Sequence, residues 1–485
     1  MEKPTPRPQP MYPGELTDGN ICHIFRDAGD FIHRVLTCGE AVLYAYMIDG
    51  LVSGGDASEY IFKPITEHLR GGSMEELYDR ALGGAVYNSV ADPCKDLDTV
   101  AKKLVNGFCV VLFPGAGAIA FEVKTGEKRG LSAPEVENTV KGPKDAFTET
   151  VRTNTSLIRR HMRSPDLRLY ETLVGRRSLT NVTVAYVEGI TDPALVEKMK
   201  GRLDSIDIDG FLSPAAVEEY VTGSRPTAFP LLQYTERADK FCQGLLAGRV
   251  GLLVDGLPLG YLAPADLGCL MTSPEDLGMD YVSASAVRVL RYGAMLLSLL
   301  LPGFYVAMAA FHQEMIPLPL LKAMIESKES VPFPTVVEVL GLLLAFEILQ
   351  EAGIHLPQSI GQAVSIIGGL VVGTAAVEAK LVSPAALIAV SVAGICGFAL
   401  PGRDFADAVR MWRFALTVTA SLAGLFGLTA GFLALLIHLS RLTCMDVAYL
   451  APFSGSAHPG ILRRRLFRSK FRDPSLSPQD GRNQR

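Results

Sequence analysis

The stretch VRVLRYGAMLLSLLLPGFYVAMAAF (Val287–Phe311) decides the architecture of the chain. After two early arginines it is an apolar run longer than the roughly 20 residues that a helix needs to cross a bilayer. It also opens a charge-poor region, because only about fifteen of the roughly 150 residues from Tyr292 to Ser440 are charged. A soluble domain carries about 25% charged residues. The sequence therefore predicts an α-helical polytopic membrane domain over residues 283–442.

The rest of the chain has a more ordinary composition. The 485 residues are 48% hydrophobic and 20% charged with a formal charge of −5, and the mean hydropathy is +0.25. This charge argues against a nucleic-acid partner, and the apolar content excludes a fully disordered chain. The start, MEKPTPRPQP, is polar and lacks the apolar segment of a signal peptide. We expect residues 1–20 to be disordered and the N-terminal domain to be cytoplasmic.

The first 282 residues contain two stretches with the same order of elements. VLYAYMIDGL (Val42–Leu51) is followed by a helical pattern and then by NGFCVVLFPGAGAIAFEV (Asn106–Val123). VTVAYVEGI (Val182–Ile190) is likewise followed by a helical pattern and by AGRVGLLVDGLPLGYLAP (Ala247–Pro264). The period of about 140 residues predicts two related α/β subdomains, at 21–140 and 179–282.

Glycines within these apolar runs predict hairpin turns. Asp255-Gly256 is typical of a type I′ turn, which needs positive φ at both central residues. The segment PGAGA at 114–118 is also interpreted as a hairpin turn, because it lacks the endings of a P-loop and of a dinucleotide-binding turn.

A basic stretch, residues 141–178, separates the repeats and is predicted to be a helical linker bounded by Pro143 and Pro165. It either contacts anionic lipid headgroups or an acidic partner surface, or it is a solvated helix face, and the pattern leaves both open. The candidate contact residues are Arg152, Arg159, Arg160 and Arg163.

Catalytic and cofactor motifs do not occur in the sequence. The eight cysteines form no CxxC pair and are expected at buried positions in a reduced compartment. G-x-S-x-G and HExxH motifs are also absent. The sequence therefore predicts no enzyme activity, cofactor or metal.

Five apolar segments lie in the membrane region. They run over about Val287–Phe311, Phe333–Leu349, Ile360–Val377, Pro384–Leu400 and Met411–Leu439. Arginines flank both ends of the region, with a basic tail predicted over 443–485, so both ends are expected in the cytoplasm and the number of crossings must be even. Three solutions stay open: a hairpin at Gly424, Gly427 or Gly431, a re-entrant segment, or an additional inserted segment at Ile316–Ile325.

Small residues and two carboxylates are the candidate functional residues of this region. A small-residue stripe suits either a pore-lining helix in a ring of subunits or close helix packing. Glu338 and Glu347 lie inside the second apolar segment, on opposite helix faces, and have either ion-path or structural roles. The pore candidates are Gly361, Val364, Ser365, Gly368, Val372 and Ala375.

The chain resembles the A-subunit family of spore germination proteins, the GerA type, which also includes SpoVAF. The resemblance covers about Ile24 to Pro452 and is densest in several blocks. These are GPKDAFTETVRTNTSLIRR, VGRRSLTNVTVAYVEGI, RLDSIDIDG, LLAGRVGLLVDGLP, RYGAMLLSLLLPGFYVAMAAFH, FEILQEAGIHLPQSIGQAVSIIGGLVVG and GLFGLTAGFLALLIHL.

The resemblance implies a germinant-receptor subunit in the inner spore membrane. It implies a pentameric homo-oligomer that releases monovalent cations and works with a transporter-like B subunit and a C-subunit lipoprotein. It also makes Ile360–Val377 the favoured pore helix. The alternatives are a SpoVAF-like accessory ion channel, a non-conducting scaffold, and a transporter subunit, although no inverted membrane repeat is visible.

Overall fold

The structure is a computed structural model that describes residues 11–88, 90–124, 134, 137, 139–211, 213–223, 226–354, 373–451 and 453. These residues form two compact units. The α/β unit comprises the described residues up to 223 together with Leu232–Pro264. The helical unit comprises Pro226–Leu231 and the described residues from Ala265 onward.

The α/β unit contains two five-stranded antiparallel sheets. The first sheet has the order β1-β2-β4-β5-β3 and the second the order β6-β7-β9-β10-β8, so the same arrangement occurs twice. The predicted duplication is therefore present in the fold. The strands are β1 (Phe31–Cys38), β2 (Ala41–Ile48), β3 (Ala91–Cys94), β4 (Phe108–Phe113), β5 (Gly117–Glu122), β6 (Leu167–Val174), β7 (Thr180–Val187), β8 (Gln233–Thr235), β9 (Val250–Val254) and β10 (Gly260–Ala263).

Helices cover these sheets. The first sheet is packed on both faces, because side chains alternate along a strand. In β2, Leu43 and Met47 belong to one apolar core, whereas Tyr46 and Ile48 belong to another. The helices of this unit are α1 (Asp18–Ile24), α2 (Gly54–Ala57), α3 (Lys63–His68), α4 (Met74–Arg80), α5 (Leu97–Val105), α6 (Val151–His161), α7 (Pro193–Asp204), α8 (Pro214–Thr222) and α9 (Ala238–Leu246), with π-helical turns at Ser58–Phe62 and Ala81–Ala85.

Two predicted boundaries need correction. Residues 141–178 are not a separate linker, because they contain α6 and also β6, the edge strand of the second sheet. The residues 11–20 are not disordered, because the Tyr12 backbone N–H donates to Asp98 Oδ1 at 2.9 Å and α1 begins at Asp18. Residues 1–10 lie outside the described part of the chain.

The two hairpins are present, but one turn type was predicted wrongly. β4 and β5 pair from Phe108↔Glu122 to Phe113↔Gly117, so the PGAGA segment is a hairpin turn. β9 and β10 also pair, yet only Gly256 has positive φ (85°) there. The Asp255 side chain instead accepts a hydrogen bond from the backbone N–H of Val151 at 2.9 Å. This contact with the start of α6 replaces the type I′ geometry.

Six α-helices of the helical unit have both ends within the described residues. Among the described residues, α11 and α15 are long and apolar enough to cross a membrane. α13 has 20 residues but carries three glutamates, and α14 is a shorter apolar helix. The helices are α10 (Leu267–Leu270), α11 (Tyr281–Phe311), α12 (Leu318–Lys328), α13 (Thr335–Ile354), α14 (Pro384–Phe398) and α15 (Arg403–Arg441), followed by a ribbon of β11 (Thr443–Cys444) and β12 (Val447–Ala448).

The chain reverses direction inside α15. Ala423 and Gly424 have non-helical backbone angles, and the rings of Trp412 and His438 lie 5.6 Å apart on either side of the break. The last apolar segment thus forms a helical hairpin at Gly424, which is one of the three arrangements left open by the sequence. The segment predicted as an additional insertion is α12, whose 11 residues are too few to cross a bilayer and include no buried side chain.

Candidate functional site

Most of the predicted pore stripe lies outside the described residues. Gly361, Val364, Ser365, Gly368 and Val372 fall in 355–372, and the basic tail from residue 454 onward is likewise outside them. Ala375 is described and is exposed. The candidate site is therefore built from the charged groups that the described helices bury.

Glu338 is a deeply buried carboxylate among the described residues of the helical unit. It lies in the first turn of α13 and is 2% exposed. Its Oε2 accepts a hydrogen bond from the backbone N–H of Ser383 at 3.0 Å, and the ammonium of Lys328, at the end of α12, lies 3.7 Å from Oε1. Glu338 thus joins the ends of three helices, since Ser383 is the N-cap of α14.

The second oxygen of Glu338 has unused capacity. No described group donates a hydrogen bond to Oε1, and Lys328 also donates to Thr335 Oγ1. A buried carboxylate oxygen without a donor is costly in an apolar environment. Oε1 can therefore accept a proton, a further hydrogen bond or a cation.

Glu347 belongs to a separate cluster, as its predicted helix face requires. Its Oε1 lies 2.8 Å from Arg413 Nη2 and its Oε2 lies 3.3 Å from Arg410 Nη1. Arg413 is 3% exposed and also donates to the Ala393 carbonyl at 3.4 Å. Arg410 additionally pairs with Asp407. Two carboxylates and two guanidiniums therefore balance each other where α13, α14 and α15 meet.

Sequence reasoning missed the arginines of this cluster. Arg413 lies within the apolar segment Met411–Leu439, and a cation inside such a segment is expensive unless it is paired. The cost of an unpaired arginine in an apolar segment is a signal that Arg413 has a buried acidic partner. The partner could not be identified from sequence, because Glu347 lies 66 positions away.

A third buried acid lies at the start of the helical unit. Asp276 is fully buried, and its carboxylate lies 2.9 Å from Arg288 Nε and 2.8 Å from Arg291 Nη2. The two arginines that flank the first apolar segment are therefore held by one carboxylate. Charge pairing at this point fixes the beginning of α11.

The basic candidates of α6 face protein rather than an open surface. Arg159 is fully buried and makes a bidentate ion pair with Asp30, with Nε–Oδ2 2.7 Å and Nη2–Oδ1 2.8 Å. Arg152 bridges Asp49 at 3.1 Å and Glu171 at 2.8 Å. A headgroup contact by Arg159 is ruled out, because its guanidinium is saturated inside the unit.

The other two basic residues of the stretch are less enclosed. Arg163 is exposed and donates to Asn106 Oδ1 at 3.1 Å. Arg160 is half-buried. Since Asp30, Asp49 and Asn106 belong to the first subdomain (residues 11–124), the arginines of this stretch join the two subdomains.

Six of the eight cysteines are buried, as expected, whereas Cys22 and Cys396 are partly exposed. Burial raises the pKa of the Cys109 thiol to about 12. Burial, with nearby Asp239 and Asp145, also raises the pKa of Cys242 to about 12. These thiols are protonated and unreactive in the folded chain.

Comparison with known proteins gives a consistent family. The model of the Bacillus/Clostridium GerA spore germination protein family matches residues 20–479. Spore germination protein KA of Bacillus subtilis (strain 168) is 34% identical over 490 residues, covering 96% of this chain and 88% of that protein. Spore germination protein GerLA of Bacillus cereus is 36% identical over 456 residues, covering 90% and 91%.

Two further proteins are similar to the chain. The uncharacterized membrane protein YfkQ of Bacillus subtilis (strain 168) is 33% identical over 437 residues, covering 90% of this chain and 85% of that protein. The crystal structure of the N-terminal domain of the A subunit of the Bacillus megaterium spore germinant receptor GerK3 is 26% identical, with a TM-score of 0.40, and covers 50% of this chain and 92% of that one. With the family match extending over nearly the whole sequence, the chain belongs to the GerA family of spore germination proteins.

Proposed function

We propose that this chain is the A-type membrane subunit of a spore germinant receptor and that its oligomer is a ligand-gated cation channel. The observation that carries the proposal is the family match over residues 20–479, which includes both units. The proposed location is the inner spore membrane, with the α/β unit on the cytoplasmic side. The proposed partners are a transporter-like B subunit and a C-type lipoprotein, and we propose no enzymatic step.

The helical unit supports a membrane role through its buried charges. Glu338, Glu347 and Arg413 lie on helices that contain long apolar stretches. Charged groups inside membrane helices are retained mainly where they pair with one another or line an ion path. The cluster of Glu347 and Asp407 with Arg410 and Arg413 is charge-balanced and suits helix assembly. Glu338 has one oxygen without a donor among the described groups and suits an ion path.

We further propose that the two arms of α15 cross the membrane separately. The reversal at Ala423 and Gly424 makes the number of crossings even when Val287–Phe311, Phe333–Leu349, Ile360–Val377 and Pro384–Leu400 each cross once. An even number agrees with basic residues at both ends of the membrane region. The pore-lining candidates remain Gly361, Val364, Ser365, Gly368, Val372 and Ala375, on the third of these segments.

The decisive experiment measures cation flux through the purified oligomer. We expect protein reconstituted in liposomes to release monovalent cations, and a polar change, Val364→Ser or Val372→Ser, to increase the leak, because a hydrophobic constriction gates by excluding water. Val392→Ser, in α14, is the matched control on a neighbouring apolar helix. Absence of flux from a pure oligomer, together with unchanged germination of the two variants, contradicts the channel.

Other outcomes of the same experiment select the alternative functions. A basal flux that germinant does not increase, even when a B-type subunit is reconstituted with the oligomer, assigns the chain as an accessory channel that amplifies germination. Variants of the stripe that impair oligomer assembly, but never leak, assign it as a scaffold. Substrate-coupled flux would instead indicate a transporter subunit.

A further inference from the structure

Three side chains with metal-binding atoms meet on the surface of the first subdomain. Asp18 and Cys22 lie one turn apart on α1, and His33 lies on β1. One carboxylate oxygen, the thiol sulfur and one imidazole nitrogen all lie within 4.8 Å of one another. In the described part of the chain, this is the single cluster of three His, Cys, Asp or Glu residues with such spacing.

The distances within the cluster suit a tetrahedral zinc ion. Asp18 Oδ1 lies 3.1 Å from His33 Nε2 and 3.6 Å from Cys22 Sγ. Zinc bonds of about 2.0 to 2.3 Å to oxygen, nitrogen and sulfur place the ligand atoms of a tetrahedron roughly 3.3 to 3.6 Å apart. Two of the three distances between ligand atoms therefore lie close to this spacing, and the third, between Cys22 Sγ and the His33 ring nitrogen, is within 4.8 Å.

Neighbouring groups hold two of the three ligands in place. The buried Tyr46 hydroxyl donates to Asp18 Oδ1 at 2.7 Å. The His33 ring stacks on the Tyr46 ring, with centroids 5.3 Å apart and planes 9° apart, and on the Tyr44 ring at 5.8 Å. Support of this kind around metal ligands fixes their orientation and raises metal affinity.

We propose that Asp18, Cys22 and His33 bind one Zn²⁺ ion, with water in the fourth position. A set of one thiolate, one imidazole and one carboxylate favours zinc over Mg²⁺ and Ca²⁺, which prefer oxygen ligands alone. The ion connects α1 to β1.

Without metal, the same side chains form a hydrogen-bonded cluster around the Asp18 carboxylate. The experiment must therefore distinguish a zinc site from this metal-free cluster. The full-length, tag-free chain is purified in detergent, stripped with a chelator and titrated with Zn²⁺ by calorimetry. We expect one ion per chain, with affinity reduced at least about tenfold in Cys22→Ser and in His33→Ala. Matched controls are His23→Ala, an exposed position on the same helix, and Cys396→Ser in the helical unit.

Co²⁺ provides a second readout that needs no variant. A cobalt ion in this site must show a thiolate-to-metal charge-transfer band and the strong visible bands of tetrahedral cobalt. Unchanged Zn²⁺ affinity in Cys22→Ser, or a Co²⁺ complex of the wild-type chain without the thiolate band, overturns the proposal. Because the cobalt spectrum uses the unmodified chain, a poorly folded variant does not prevent the decision.

Discussion

Arg159 has the most enclosed guanidinium of the α/β unit. Both it and Asp30 are at most 1% exposed, and two parallel hydrogen bonds join them across 129 positions of sequence. Removing two charges from water is expensive, and bidentate geometry recovers much of that cost. Arg159 also donates to the Ser164 carbonyl at 3.3 Å. Either partner alone would leave a buried charge without compensation.

Replacing one partner of this pair should therefore destabilise the α/β unit strongly. We expect Arg159→Met to lower the free energy of unfolding by about 3 kcal/mol or more, and Asp30→Leu/Arg159→Met to recover most of the loss. Urea unfolding can be read by pulsed labelling of Cys109 and Cys242 followed by peptide mass spectrometry. The control is Arg177→Met, because Arg177 is 83% exposed and 3.6 Å from Asp209. Equal losses in Arg159→Met and Arg177→Met would contradict the assigned role.

Glu188 should make the stability of the same unit depend on pH. Burial opposes its ionisation, but hydrogen bonds and charges from Arg168 and Arg26 outweigh burial and hold the pKa of Glu188 below its usual value. A carboxyl with a lowered folded-state pKa stabilises at pH above its unfolded pKa, near 4.3, and this contribution disappears as pH falls through the lower folded value.

As the pH falls to about 4.3 and below, we expect the free energy of unfolding to decrease less steeply in Glu188→Gln than in wild type. An acid-active disulfide reagent can label Cys242 at each pH and urea concentration. Arg26→Gln removes the more exposed partner, at 2.8 Å, and should reduce the slope partially. Identical acid slopes in wild type and Glu188→Gln would refute the linkage.

At the scale of elements, the hairpin within α15 depends on one backbone position. Gly424 has φ 61° and ψ −139°, a combination that side chains with a Cβ rarely adopt. An added Cβ would also lie 2.7 Å from His312 Cε1 and 2.9 Å from Phe311 Cβ. At Gly427 an added Cβ would collide with the Thr419 carbonyl oxygen of the opposite arm. The reversal therefore needs glycine both for its angles and for close approach of the arms.

Gly424→Ala should weaken the hairpin by about 1 to 3 kcal/mol. The measurement is the temperature at which the purified chain loses its monodisperse peak in fluorescence-detected size exclusion. Gly293→Ala, a helical glycine of α11 with no atom within 4 Å of an added Cβ, is the matched control and should leave the temperature unchanged. A Gly424→Ala variant as heat-stable as this control would show that the reversal does not require glycine.

Individual strands show which elements could be predicted from the sequence and which could not. The repeat is visible in the sequence because the strands β2, β4, β7 and β9 are largely apolar runs, and the structure buries most of their residues. The edge strands β3 and β8 have four and three residues, and ADPC and QYT carry no strand pattern. β6 was assigned to the linker because its sequence LRLYETLV mixes charged with apolar residues, as an edge strand does.

The charged contacts were the least predictable part of the candidate site. Glu338 and Glu347 were found because an acid within an apolar segment is unusual. Their partners Lys328, Ser383 and Arg413 come from other helices, and only the fold brings them together. The same is true of Arg159, where an amphipathic basic helix resembles a surface helix until Asp30 is placed against it.

At the scale of the whole α/β unit, the two subdomains are coupled by buried polar contacts. Besides the Arg159–Asp30 pair, Arg168 of β6, which also pairs with Glu188 of its own subdomain, donates to the Ile24 carbonyl of α1 at 2.6 Å. Domains within one chain usually move relative to each other unless their interface is substantial. Here each subdomain supplies charges that the other must neutralise. Separating the subdomains would therefore expose those charges to solvent or leave them buried without a partner.

The α/β unit should accordingly unfold as one cooperative body. We expect Cys109, in the core of the first subdomain, and Cys242, in that of the second, to become labelled at the same urea concentration in wild type. In Arg159→Met/Arg168→Met the two midpoints should separate, because each subdomain keeps its own core while the buried contacts of Arg159 with Asp30 and of Arg168 with the Ile24 carbonyl are lost. Arg176→Met/Arg177→Met, with two exposed arginines, controls for loss of charge and should keep a single midpoint. Two midpoints already present in the wild-type chain would mean that the duplicated subdomains fold independently and that the buried arginines only orient them.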